Sequence, residues 1–227
     1  MVLAATRPLA YDGSGIDGGL YTTVIGWAEG APRWLDQLVT LWSTVGAALF
    51  AVLILCAWWR ARGERPQVMA RVLASPLIVL VAFAVNSWFK TLIEEVRPCA
   101  QILGSVTLDS CPGAGDWSFP SNHSVTAFAA ATALFLTHPR LGRFALVAAA
   151  LMAFSRVWVG VHYPHDVLVG SLVGVLVAVP LTLLAGRAAP LVARGRGAPT
   201  GLLGPFLGAG PDTAQPQGEG ALQAHRR

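Results

Sequence analysis

The stretch Ser155-Arg156-Val157-Trp158-Val159-Gly160-Val161-His162-Tyr163-Pro164-His165-Asp166 sets an arginine, a histidine and an aspartate where one apolar run ends and the next begins. An arginine inside an apolar run is costly in lipid, so it faces a partner, a substrate or a water-filled cavity. Two further polar islands stand at equivalent junctions, Lys90 with Arg97-Pro98 and Pro120-Ser121-Asn122-His123. In a helical bundle the three islands would meet on one side of a membrane. Lys90, Arg97 and Arg156 together call for a ligand carrying two or more negative charges. Ser121 suits a helix N-cap, and the free N–H groups and positive dipole of a helix N-terminus suit a phosphate. Asp166, four residues after His162 across a turn that Pro164 begins, can accept one ring N–H, fix the tautomer and leave the other nitrogen free to attack. A second histidine, His123, is then available as general acid. Cationic clamps with backbone N–H donors are what phosphoryl transfer requires.

Each island also has a plainer reading. Lys90 and Arg97, two helical turns apart with Glu94 between them, fit a snorkelling lysine and an interfacial arginine on one helix face. Ser121 and His123 fit a simple cap with interfacial packing. Arg156 with Asp166 fits a structural ion pair between helices. His123, His162, His165 and Asp166 form an alternative metal-ligand set, but three nearby cations would repel a divalent ion. Neither a metal nor another cofactor is expected. His138 and His225 read as solvated loop residues.

The elements that must position these groups follow from composition. Of 227 residues, 54% are hydrophobic and 12% charged, against about 25% charged in an ordinary soluble domain. This predicts an all-α integral membrane bundle. The net charge of +4 is no argument for nucleic acid, because the basic residues fall in short loops between apolar runs. Five spans are expected: Leu38–Trp59, Val72–Phe89 (with the helix continuing to Val96), Ser121–Leu136, Phe144–Val161 and Val167–Ala185. The first, about 22 residues long, suffices for ~30 Å of hydrocarbon. Trp34, Trp58 and Trp59 mark its ends as interface aromatics do. Residues 1–37 form an N-terminal segment without a signal-peptide pattern. Within it, Ile16–Trp34 is too polar to span and reads as an amphipathic helix on the bilayer, or else as an irregular loop around Gly18, Gly19 and Gly26. Residues 38–185 make the membrane domain, and the Gly/Pro/Ala/Arg-rich tail 186–227 reads as disordered.

Eleven of the sixteen Lys and Arg fall in the loop after the first span, the turn after the third and the tail. The two short loops alone hold Arg60, Arg62, Arg65, Arg71, Arg140 and Arg143. The positive-inside rule makes that side cytoplasmic. The N-terminus and all three islands are then extracytoplasmic and the C-terminus cytoplasmic. On the outer, oxidising side Cys99 and Cys111 flank the loop between the first two islands. A bridge there would close about 13 residues and stabilise by roughly 3 kcal/mol in the chain-entropy treatment; the sequence permits it without requiring it. Cys56 is read as buried in the first span.

With these residues in hand, the chain resembles the type 2 phosphatidic acid phosphatase superfamily, which shares its site with vanadium-dependent haloperoxidases. The pattern K-x6-RP, PSGH, SR-x5-H-x3-D is matched by Lys90-x6-Arg97-Pro98, Pro120-Ser121-Asn122-His123 and Ser155-Arg156-x5-His162-x3-Asp166. One position departs, Asn122 for the usual glycine, which keeps its N–H and tolerates left-handed backbone better than most residues. The resemblance implies metal-independent chemistry with His162 as nucleophile forming a phosphohistidine and Asp166 orienting it. His123 would be acid and then base, and Lys90, Arg97, Arg156, Ser121 and the Asn122 N–H would bind phosphate. The implied substrate is a lipid phosphate in the bilayer: polyprenyl diphosphate, phosphatidylglycerol phosphate, phosphatidic acid or a polyprenyl-phosphosugar phosphate. An outward-facing site favours a polyprenyl diphosphate. The rival classes are a phosphotransferase that passes the phosphohistidine to another acceptor, and a non-catalytic binder or transporter, which would have little need of His162 with its Asp166 support. Oligomeric state is not legible.

Overall fold

The computed structural model describes residues 12–102, 104–197 and 204–211. Three helices among them are long and apolar enough to cross a membrane, beginning at Pro66, Pro139 and Pro164. These are α4 (Pro66–Ile93), α7 (Pro139–Trp158) and α8 (Pro164–Ala185). Each opens on a proline, which the first helical position accepts because its N–H has no intrahelical partner. The chain is a multi-pass membrane protein.

A bent pair is long and apolar enough for a fourth crossing only when its two helices are taken as one span. Arg33–Val45 (α2) and Ala47–Ala61 (α3) meet at 55°, where a single span was expected over Leu38–Trp59. The bend falls at Gly46. A Cβ there would lie 2.7 Å from Met152 Cε and closer still to the Trp42 carbonyl oxygen, so a larger residue would clash with the backbone at the end of α2. Cys56 faces outward from α3 rather than into the core.

The expected third span is α6 (Asn122–Phe135), only 14 residues long. It lies at the centre of the bundle, with Val125, Ala127, Ala129–Ala131, Ala133 and Leu134 buried. α8 packs on it through a small-x-x-x-small stripe, the device by which membrane helices bring backbones together. A Cβ on Gly170 would stand 2.7 Å from the Ser121 carbonyl oxygen, and one on Gly174 would stand 2.5 Å from that of Val125. This contact sets the start of α8 against the start of α6.

Ser14–Glu29 forms a helix, α1, broken at Asp17 where the backbone leaves helical geometry. Of the expected apolar stripe, Val24 turns inward while Ile16, Leu20 and Trp27 stay exposed. Tyr21, Val24, Ile25 and Ala28 pack on Ala153, Val157, Trp158, Tyr163 and Val167 of α7, α8 and the turn between them. The Tyr21 hydroxyl donates to the Gly160 carbonyl at 3.0 Å. α1 is therefore docked on the bundle at the end where the polar islands gather.

The tail departs from expectation. Residues 186–188 are a 3₁₀ turn, Ala189–Gly197 is a helix (α9), and Gly204–Leu207, beyond it, forms a short helical turn. Arg196 donates to the carbonyls of Ala61, Glu64 and Leu207, satisfying carbonyls left open where α3 ends. Val192 and Leu207 are buried in the main core. A composition rich in Gly, Pro and Arg did not reveal that Arg196 has carbonyl partners. Residues 198–203 and 212–227, with His225, lie outside the described residues. His138 is no freely solvated residue: it precedes α7, and its Nε2 lies 3.2 Å from the Ala57 carbonyl.

Candidate active site

The three islands converge at one end of the bundle. α4 ends at Ile93, earlier than expected, because Glu94 takes a left-handed conformation (φ 51°). Lys90 and Arg97 therefore do not share a helix face. Lys90 closes α4, and Arg97 caps a one-turn helix, α5 (Pro98–Gln101), since the residue before a proline is pushed out of helical backbone. Glu94 pairs with neither cation among the described residues. The next residue, Glu95, is buried instead.

Arg97 is the hub. Its Nε donates to the Asp116 carbonyl at 2.8 Å and its Nη2 to Asp116 Oδ1 at 2.9 Å. Its Nη1 donates to the Val161 carbonyl at 3.0 Å and lies 3.1 Å from His162 Nε2. A guanidinium only donates, so Nε2 must present its lone pair and the His162 proton must sit on Nδ1. Nδ1 faces Asp166 Oδ2 at 3.2 Å. The same Oδ2 accepts from the Ser118 hydroxyl and, at 2.7 Å, from the Tyr163 N–H, closing a capping box at the start of α8. Burial, then the charges of Arg97, Arg156, Lys90 and His123, hold the His162 imidazole well below its ordinary pKa. The ring is neutral, with a defined tautomer, and its unprotonated Nε2 accepts from Arg97.

Lys90 Nζ donates to the Trp117 carbonyl and lies 3.7 Å from Asp116 Oδ1. Burial pushes the Asp116 carboxyl up, but the hydrogen bond and charge of Arg97, with Lys90 behind, outweigh it and leave the group below its usual value. Arg156 does not pair with Asp166. Its Nη1 donates to the Ser43 hydroxyl on α2 and lies 3.5 Å from Asp109 Oδ2. Arg156 Nε and the Ser121 hydroxyl are buried without a partner among the described residues. The Ser121 side chain thus makes no cap bond. Its N–H donates to the Asp166 carbonyl at 3.1 Å, and that main-chain bond ties the start of α6 to the start of α8.

His123 stands apart. No described side chain hydrogen-bonds its ring. It lines a cavity of about 580 Å³ between α3, α4, α6 and α7, walled by Phe50, Ile54, Val79, Leu80, Ala130 and Met152 among others. Of the three islands, His123 alone contributes to the wall of this apolar groove. Asn122 turns its Oδ1 to Asn86 Nδ2 (2.7 Å), which also donates to the Pro120 carbonyl at 3.1 Å. The departure from glycine thus comes with a partner on α4.

Behind Asp166 lies a second cluster. His165 Nδ1 is 2.8 Å from Asp17 Oδ1, and its Nε2 is 3.0 Å from Glu95 Oε1 and 3.5 Å from Asp166 Oδ1. With carboxylates on both ring nitrogens, the imidazolium is the form that satisfies this geometry. The ligating atoms of Glu95, His165 and Asp166 lie within 4.8 Å of one another. That trio differs from the metal-ligand set named from the sequence, since His123 and His162 are not in it. Cys99 and Cys111 are joined in a disulfide.

Sequence reasoning named the residues of the three islands but missed Ser43, Asn86, Glu95, Asp109, Asp116 and Ser118. Their only sequence signal was polarity, in loops or inside apolar helices.

A family model described as the PAP2 superfamily matches residues 71–189, and the chain belongs to that superfamily. Among curated relatives, the bacitracin transport permease protein BcrC of Bacillus licheniformis is 33% identical over 129 residues, 57% of this chain and 62% of that protein. The undecaprenyl-diphosphatase BcrC of Bacillus subtilis (strain 168) is 29% identical over 139 residues, 61% of this chain and 68% of that one. The chain thus spans under two thirds of the first relative's length. Among solved structures, Aquifex aeolicus LpxE superposes with a TM-score of 0.58 at 23% identity, covering 80% of this chain and 98% of that one.

Proposed function

We propose that this membrane protein hydrolyses a phosphomonoester or diphosphate on a lipid, through a phosphohistidine on His162 and without a metal. The observation that carries the reading is the His162 ring, fixed by Asp166 on Nδ1 and facing Arg97 at Nε2, in a cationic site whose second histidine, His123, lines an apolar groove. Lys90, Arg97 and Arg156, with Ser121 and the Asn122 N–H, bind the phosphate oxygens. His162 Nε2 forms a bond to phosphorus as the bond to the lipid oxygen breaks, and His123 gives its proton to that oxygen. His123 then takes a proton from water, whose oxygen attacks phosphorus, releasing phosphate and restoring His162. His123 sits at the mouth of the groove, where the leaving lipid would lie if its tail occupied that groove.

The similarity to an undecaprenyl-diphosphatase supports a polyprenyl diphosphate as substrate, ahead of phosphatidylglycerol phosphate and phosphatidic acid. The basic residues at the opposite end of the bundle support a site facing outward from the cell membrane and a cytoplasmic C-terminus. Phosphate release from these three lipids, in detergent with chelator, tests the reading, with His162→Ala alongside. Release without metal that the substitution abolishes is the expected result. Binding without release by either protein indicates a lipid-phosphate binder, and release that needs a divalent ion overturns the phosphohistidine route. Phosphate passed to an added acceptor alcohol rather than water marks a phosphotransferase.

A further inference from the structure

All three candidate phosphate-binding cations face a carboxylate from one loop, residues 99–118. Asp116 engages Arg97 at 2.9 Å and Lys90 at 3.7 Å, and Asp109 engages Arg156 at 3.5 Å. The loop backbone is anchored beside each of them. The Leu108 N–H donates to the Val159 carbonyl at 3.1 Å, the Ser118 N–H donates to the Glu95 carbonyl at 2.7 Å, and the Cys99–Cys111 disulfide ties the middle to the start. The two acidic side chains are 36% and 55% exposed, whereas the cations they meet are nearly buried. Each carboxylate can therefore swing into water while the loop stays in place.

Arg97 has five donor hydrogens. Its Nε and Nη1 already serve Asp116 O, Val161 O and His162, and Nη2 serves the Asp116 carboxylate. One Nη2 hydrogen has no partner among the described residues, and a phosphate gains the second Nη2 hydrogen, and the full charge of Arg97, only by replacing that carboxylate. We infer that Asp109 and Asp116 are specificity-determining residues that compete with the ligand for the three cations, so that the site admits terminal phosphates and rejects phosphodiesters. A terminal phosphate brings two or more charges and three free oxygens, enough to replace both carboxylates on all three cations. A phosphodiester brings one charge and two free oxygens. It exchanges one anion for another and leaves the second carboxylate in place. This inference rests on the proposed phosphatase reading and narrows its substrate class.

The test is a calorimetric titration of the detergent-solubilised protein with inorganic phosphate and, separately, with diethyl phosphate. Asp116→Asn and Asp109→Asn keep side-chain shape and remove the competing charge. Each should tighten inorganic phosphate binding by about fivefold, the scale of a partly exposed ion pair. The double variant should also narrow the preference for inorganic over diethyl phosphate. If Asp116 instead serves to orient Arg97, its substitution weakens binding, and the opposite sign overturns the inference. Unchanged affinity in both single variants overturns it too; Asp116→Asn reads Arg97 and Lys90, Asp109→Asn reads Arg156, and one of them suffices if the other fails to fold. Wild-type protein that releases phosphate from lipids while the variants bind as before refutes this inference alone. Wild-type protein that neither releases nor binds phosphate refutes the phosphatase reading with it.

Discussion

The two histidines of the candidate site are held in opposite ways. His162 is 2% exposed and meets Asp166 on one nitrogen and Arg97 on the other. Its aspartate is fixed in turn by Ser118 and the Tyr163 N–H and backed by His165 and Glu95. His123 has no such partner among the described residues and borders an apolar groove. The contrast matches the division of labour proposed for them. A nucleophile gains from fixed geometry. A group that gives its proton to the leaving oxygen and takes one from water must serve two partners in turn, and a ring free of protein hydrogen bonds can turn to both.

The contrast can be broken by substitution. His162→Ala should lower turnover by about 10⁴-fold or more, measured as phosphate release from lipid, with no recovery on any substrate. His123→Ala should cost about 10²–10³-fold on a lipid, and much less on p-nitrophenyl phosphate, whose leaving group needs little protonation. Equal losses on both substrates would place His123 with the phosphate-binding groups instead.

A smaller effect probes the groove. Ala51→Phe adds a ring to an exposed groove-lining position on α3. It should raise KM for a long-tailed lipid by about tenfold and act less on a short water-soluble ester. Equal effects on both would detach the groove from the tail.

The smallest effect concerns pH. His162 is buried neutral with its pKa lowered, so below the unfolded value of about 6.5 the unfolded chain binds a proton that the folded one does not. Stability should therefore fall as pH drops below about 6.5, by up to about 1.4 kcal/mol per pH unit from this group, until the folded pKa is reached. His162→Gln should flatten the fall of Tm with acid. An unchanged slope would show that His162 is not the buried neutral group described.

The sequence exposed the two histidines but not their difference. Lys90, Arg97, His123, Arg156, His162 and Asp166 were legible because polar side chains in apolar runs are conspicuous, and the helices beside them were legible from hydropathy, though only three, or four with the bent pair, are long and apolar enough to span where five spans were expected. The groups that hold them were not. Ser43 and Asp17 lie before the stretch that the family model matches, in helices whose docking depends on tertiary contacts. Asp109 and Asp116 sit in a polar loop where a carboxylate looks like solvent-facing chain. The bend at Gly46 brings that residue against Met152, more than a hundred positions away. The helical start of the tail depends on the carbonyls that Arg196 finds. Local pattern carries none of these.

The shortness of α6 has a consequence for the lipid. Fourteen residues make a rod of about 21 Å, against about 30 Å of hydrocarbon. The helix that presents Ser121, Asn122 and His123 is thus shorter than the layer it stands in. For the lipid phosphatase proposed above, either the bilayer thins around the protein or the lipid headgroup sinks to meet the site, and membrane thickness would then be a variable of the reaction.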